Sequence, residues 1–97
     1  MHVDLRQLEI GDRVYFETAD HRIVELTLLD PQLGYVIVDG AVAGVAEPTK
    51  GYVNWLSEPI VPLGQAFHLV FGNGVTSVGA PLRIEIVSAK YSYVLED

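Results

Sequence analysis

The stretch RVYFETADHRIVELTLL, residues 13–29, alternates apolar and polar side chains on either side of a short polar turn. Alternation with a period of two is typical of a strand that is buried on one face. In an antiparallel pair, opposed residues share a face, so placing Phe16 opposite Val24 also sets Val14 opposite Leu26. A slip of one residue would mix the two faces. We therefore predict a hairpin in this register, with an odd number of connecting residues.

The hairpin continues into a third strand. Residues 30–34 contain Pro31, which presets φ, and Gly34, which can adopt a positive φ, so they predict a turn. A strand at 35–39 then follows, with its apolar side chains facing inward if Val36 lies opposite Leu28. The first half of the chain is therefore expected to form a three-stranded meander.

Strand signals return in the last third of the chain. The pair Asn73-Gly74 is typical of a two-residue hairpin turn with positive φ at both positions. Farther along, Gly79-Ala80-Pro81 predicts a bulge or a corner. The strands expected around these signals lie at 66–71, from Val75 onward, at 82–88 with Leu82 facing inward, and at 91–95 along a sheet edge.

Six or seven short strands in 97 residues predict a single all-β domain spanning 1–97. A partly closed barrel is favoured over a sandwich, because two full sheets usually need a longer chain. An SH3-like topology is the first choice and a Greek-key barrel the second. Residues 40–63 are rich in Gly and Pro yet apolar, which predicts a long loop folded back over the core, with a short strand around 52–56.

Composition excludes several classes of function. The 13 acidic and 6 basic residues give a formal net charge of −7, which disfavours a nucleic-acid partner. Without cysteine, the chain has neither a disulfide nor a thiolate nucleophile. No apolar run approaches the roughly 20 residues that span a bilayer, and the first residues lack the pattern of a signal peptide. We therefore expect a cytoplasmic protein with no membrane partner.

Short motifs resemble those of a type of small uncharacterised bacterial all-β protein. They are Gly11-Asp12-Arg13-Val14 at the start of the meander, Glu47-Pro48-Thr49 in the Gly-rich loop, 64–71, Thr76-Ser77, and a strand ending near Ile84. The resemblance implies a self-contained domain and implies no activity.

Candidate chemistry is sparse. The three histidines do not cluster with enough other ligands to form a metal site, and the sequence predicts no cofactor and no catalytic motif. His68 stands out because it lies in the most apolar predicted strand. It is interpreted either as a surface histidine bonded to a neighbour or as a group that contacts a ligand or accepts a proton near neutral pH.

The functional hypothesis depends on how the charged residues are distributed along the chain. Residues 51–82 contain a single formal charge, Glu58. So small a domain cannot bury this entire stretch, and a contiguous exposed apolar patch usually marks a contact. The leading hypothesis is a non-enzymatic module that binds through this face, chiefly by forming a homo-oligomer, first a dimer, with Tyr52, Trp55 and Phe71 as anchors.

Two other hypotheses stay open. A pocket under the 40–63 loop, lined by Trp55 and His68, could hold a small apolar ligand. A small hydrolase or isomerase could instead pair His68 with a distant carboxylate such as Glu58 or Glu85. The alternative to any exposed patch is that the 40–63 loop folds down onto the barrel.

Overall fold

Ten β-strands and one 3-10 turn, Leu5–Gln7, form the fold of residues 1–40, 48–72 and 74–96, which a computed structural model describes. Within these ranges no helix is long and apolar enough to cross a membrane. The all-β prediction is confirmed. The strands are His2–Asp4 (β1), Arg13–Thr18 (β2), Ile23–Asp30 (β3), Tyr35–Gly40 (β4), Thr49–Val53 (β5), Ile60–Pro62 (β6), Phe67–Phe71 (β7), Gly74–Val78 (β8), Pro81–Val87 (β9) and Ser92–Glu96 (β10).

The first hairpin has the predicted register. Phe16 lies opposite Val24 and Val14 opposite Leu26, and the pairing stops at Glu17 and Ile23, which leaves a connection of five residues. The third strand also joins as expected, with Leu28 opposite Val36. The parity of the apolar positions is thus sufficient to align three strands.

Eight strands form one antiparallel sheet in the order β10-β9-β2-β3-β4-β5-β7-β8. The remaining two, β1 and β6, pair with each other in a second, two-stranded sheet. The large sheet is open, because no ladder in the described part of the chain joins its edge strands β8 and β10.

The core lies on one face of the large sheet, where burying each large apolar side chain contributes roughly 1.5–3 kcal/mol. Phe16 on β2 meets Phe67 on β7 edge to face, with ring centroids 5.3 Å apart. Since β2 and β7 are not neighbours in the sheet, this contact shows that the sheet curls around its core. Its buried side chains are Val14, Phe16, Val24, Leu26, Leu28, Val36, Val38, Val53, Phe67, Leu69, Val78, Ile84 and Ile86.

The two-stranded sheet adds further apolar side chains to this core. Val3 on β1 lies opposite Val61 on β6, and both side chains are buried with Leu5 from the 3-10 turn. The Asp4 carboxylate accepts hydrogen bonds from the guanidinium and from the backbone N–H of Arg6, and these hold the pKa of Asp4 below its usual value. The hydrogen bonds between Asp4 and Arg6 thus fix the polar side of the 3-10 turn, and the buried Leu5 fixes its apolar side.

Two details around β8 and the start of β9 differ from the sequence predictions. The β7–β8 ladder closes on Phe71 and Gly74, so the two turn residues are 72 and 73 rather than 73 and 74. Gly74 has the expected positive φ, 150°, whereas Asn73 lies outside the described residues. Leu82 is 44% exposed rather than inward, because a register shift after Glu17 lets Pro81 take the buried position.

Replacing Gly74 by Ala is expected to lower the free energy of unfolding by about 1 kcal/mol, because an L-residue resists positive φ. An added Cβ would meet nothing within 4 Å there, so the effect is conformational rather than steric. Gly72→Ala is the matched control, since it adds the same methyl group in equally open space without a positive φ. Equal urea-unfolding stabilities for the two variants would contradict this account.

Candidate functional site

The outer face of the large sheet divides into a charged half and an apolar half. On β2, β3 and β9 the side chains that alternate with the core include five charged ones, Arg13, Glu17, Glu25, Arg83 and Glu85. On β4, β5, β7 and β8 the strand registers align Tyr35, Tyr52, Val70 and Val75 side by side. An apolar stripe therefore crosses four strands on the solvent side.

Three aromatic rings cluster at one end of this stripe. The rings of Tyr35 and Tyr52 are tilted by 31° with centroids 4.8 Å apart, and Trp55 stands edge-on to Tyr52 at 4.4 Å. Aromatic pairs at such separations attract one another beyond their burial alone. Because the rings already touch, nothing can insert between them, and a ligand would meet their free faces and edges.

A cavity of about 290 Å³ opens beside these rings, and we call it the aromatic groove. Its lining contains one ionisable cation, Lys50, among apolar and aromatic groups. The residues that line it are Tyr35, Lys50, Gly51, Tyr52, Trp55, Val70, Phe71 and Gly72. An apolar concavity with few polar groups is the usual form of a small-molecule site.

Gly51 lines the aromatic groove with its backbone, and its lack of a side chain leaves room for the Phe71 ring. It faces inward on β5, and a Cβ built there would lie 2.8 Å from Cδ1 of Phe71 and 2.9 Å from the carbonyl oxygen of Val70. The Phe71 ring therefore rests against the Gly51 backbone. Because of this close approach, Phe71 both packs against the core and lines the groove.

The turn that follows β5 holds Trp55 in place. Asn54 adopts a left-handed conformation, φ 52°, which Asn tolerates better than most residues. Its N–H donates to the carbonyl oxygen of His68, its Oδ1 accepts from the N–H of His68 at 3.1 Å, and its Nδ2 donates to the carbonyl oxygen of Ile60 at 2.9 Å. One side chain thus ties the end of β5 to both β7 and β6. The strand predicted at 52–56 therefore ends at Val53, where this turn begins.

Leu56, next in the same turn, has an unusual conformation. Its φ is 67° and its side chain is 88% exposed, so neither local preference nor burial favours leucine at this position. Left-handed backbone at a residue with a Cβ costs roughly 1–2 kcal/mol. Strain of this kind concentrates at functional sites. Together with Trp55, which is 50% exposed, Leu56 presents apolar surface beside the aromatic groove.

The structure brings together three of the four binding residues that the sequence singled out. Tyr52, Trp55 and Phe71 all line the aromatic groove, whereas His68 is outside its lining, exposed on β7 opposite Ser77. The carboxylates considered as partners for His68 are engaged elsewhere: Glu58 lies 3.7 Å from Arg6, and Glu85 lies 4.0 Å from Arg83. The part of the 40–63 loop at 41–47, expected to cover a pocket, lies outside the described residues.

Sequence reasoning missed several contributors, among them Tyr35, Lys50, Gly51, Asn54 and Val70. Tyr35 and Tyr52 meet because β4 pairs with β5, a pairing that no local pattern specifies. The signal that was available is Asn54 itself, since Asn directly after an apolar strand favours a turn and so a bend before Trp55.

No family model, curated protein or solved structure matches the chain. The resemblance to small bacterial all-β proteins therefore stays a prediction. Across the described ranges, no three acidic or histidine side chains gather closely enough to hold a metal ion.

Replacing Gly51 by Ala is expected to destabilise the fold by roughly 1–3 kcal/mol, the usual range for overpacking. The new methyl group must displace the Phe71 ring and strain the backbone at Val70, which also deforms the aromatic groove. Gly79→Ala is the control, because its added Cβ would meet only Thr18, at an ordinary 4.0 Å. Thermal melts compare the two variants, and a Gly51→Ala protein as stable as the control would show that Phe71 does not pack as described.

Proposed function

We propose that this chain is a non-enzymatic binding module that acts through the apolar face of residues 51–82, and that its ligand docks in the aromatic groove. The observation that supports this is the cluster of Tyr35, Tyr52 and Trp55 beside an open cavity of about 290 Å³. Partly exposed aromatic rings held rigidly by a sheet and an anchored turn give a surface with little conformational entropy to lose on binding.

The size and lining of the groove favour a small flat ligand. Small-molecule sites begin at roughly 300 Å³, so this cavity has room for one or two rings. The free faces of Tyr35, Tyr52 and Trp55 offer stacking and edge contacts to a ring. An extended aliphatic chain would fill such a short, open groove poorly.

Lys50 indicates that the preferred ligand carries a negative charge. It is one of 6 basic residues in a chain of net charge −7, and it lies in the groove lining. An ammonium group beside aromatic surface can pair with a carboxylate on a ligand whose ring lies against the tyrosines. We therefore propose a small aromatic carboxylate as the ligand class.

We infer that the sheet acts as a partly closed barrel, since only Gly79 and Ala80 separate β8 from β9. The Phe16–Phe67 contact across the interior and the hydrogen bond from the N–H of Gly64 to the carbonyl oxygen of Pro81 support it. A rigid curved wall would keep the groove in shape without a ligand.

Trp55 makes the binding proposal directly testable, because it is the sole tryptophan of the chain and borders the groove. We expect benzoate to change Trp55 fluorescence saturably, with a dissociation constant of about 1 mM, as befits a ligand of few atoms. Benzamide, neutral and of the same shape, should bind more weakly, and benzylammonium weakest.

Lys50→Gln should weaken benzoate binding roughly tenfold and leave benzamide binding unchanged. Lys90→Gln removes the same charge from the turn before β10, away from the groove, and should leave both affinities unchanged. If benzoate and benzamide bind the parent protein equally, the charge assignment is wrong. If neither affects Trp55 fluorescence, the groove is not a site for this ligand class.

A further inference from the structure

The edge strand β8 is open along one side. It pairs with β7 over all five of its residues, and no other described strand pairs with it. Val75 on this strand is 64% exposed, whereas Val78, at the end next to β9, is buried. A row of unpaired backbone donors and acceptors therefore faces away from β7.

Natural sheets usually block such an edge, and here the two edges differ. The opposite edge, β10, carries Glu96, which lies 3.8 Å from Arg83. By contrast, β8 reads Gly-Val-Thr-Ser-Val and has neither a charged residue nor a proline. Charged and proline residues are the common devices against edge-to-edge pairing, so their absence from β8 favours an edge that accepts a partner strand.

The register shows which backbone groups are free. A two-residue hairpin closes on a hydrogen-bonded pair, here Phe71 and Gly74, and such pairs alternate along the ladder. Gly74, Thr76 and Val78 therefore direct their N–H and C=O groups toward β7. Those of Val75 and Ser77 point outward.

We propose that a second copy of this chain pairs antiparallel along β8, about a two-fold axis through Thr76. In this register Val75 of each copy faces Ser77 of the other, which gives two such pairs. Each pair exchanges two hydrogen bonds, so four new bonds use all the outward backbone groups of Val75 and Ser77. A two-fold contact of this kind closes on itself and leaves no free β8 edge.

The side chains of β8 fit this register. The two Thr76 residues oppose each other on the axis, and facing threonines are a favourable cross-strand pair. Gly74 lies opposite the partner's Val78, which sets the smallest residue against a large one. Val75, exposed in the single chain, gains cover from the adjoining strand.

Charge does not oppose a second copy at this edge. Each copy has a net charge of −7, yet no charged residue occurs between Glu58 and Arg83, so the chain segment around β8 contributes no like-charge repulsion across the axis. Five paired residues form a small contact, which predicts a weak dimer with a dissociation constant on the order of 10 µM to 1 mM. This inference is independent of the ligand proposed for the aromatic groove.

A cysteine at the axis tests the register itself, because the chain has no other cysteine. Two facing residues of a non-hydrogen-bonded pair have Cα atoms about 4.5 Å apart, within the range that a disulfide spans. Thr76→Cys should therefore give a covalent dimer on mild oxidation, whereas Val94→Cys on the other edge should stay monomeric. Equal crosslinking of the two variants would overturn the register.

A charged edge tests the contact without a cysteine. Val75→Lys places a cation on an already exposed position and should raise the dissociation constant at least tenfold in light scattering, with an unchanged melting temperature. Val94→Lys makes the same change on β10 and should leave the dimer intact. A parent protein that is monomeric at 1 mM, or a Val75→Lys protein that dimerises as the parent does, would refute the proposal.

Discussion

Burial on one face only is the constraint on which this structure depends. Because the core of the large sheet lies on a single side, each strand must present its apolar residues with the same parity. A one-residue slip between Phe16 and Val24 would expose the core residues of an entire strand. The same constraint forces the sheet to curl, since a flat sheet would leave those residues in water. Contact between Phe16 and Phe67, on strands far apart in the sheet, is the result.

Once the inner face contains the core, the outer face is free to specialise. Its apolar half is not surplus core, because Tyr35, Tyr52 and Trp55 pack on one another rather than on the interior. The groove beside them depends on two small features. Gly51 lets the Phe71 ring approach the backbone, and Asn54 bends the chain so that Trp55 returns over Tyr52.

The sequence was most informative where pairing is local. Apolar parity and turn residues are enough to align β2, β3 and β4, because each connection is short and each register error is costly. They could not reveal that β1 pairs with β6, since Val3 and Val61 lie far apart in the chain and each strand has only three residues. Nor could they place Leu82, because the register shift after Glu17 reverses the parity expected from Ile84.

For the same reason, only part of the candidate site could be predicted from the sequence. The low charge of 51–82 marked Tyr52, Trp55 and Phe71 as surplus apolar surface, and that argument needs no topology. Tyr35 and Lys50 join them only through the β4–β5 ladder, a pairing across the least regular part of the sequence. His68 was singled out by its apolar strand, but it lies opposite Ser77, two residues along β7 from Val70 on the same outer face, and so falls outside the groove lining.

The two proposals have a joint geometric consequence. Pairing along β8 about an axis perpendicular to the sheet keeps the outer faces of both copies on the same side. Five strand spacings separate β5 of one copy from β5 of the other, which is about 24 Å measured along the curved sheet. A surface with two identical grooves at fixed separation binds a molecule or assembly that displays two ligand groups far more tightly than either groove alone. Weak single-site affinity and weak dimerisation can therefore combine into strong recognition of a repeated ligand.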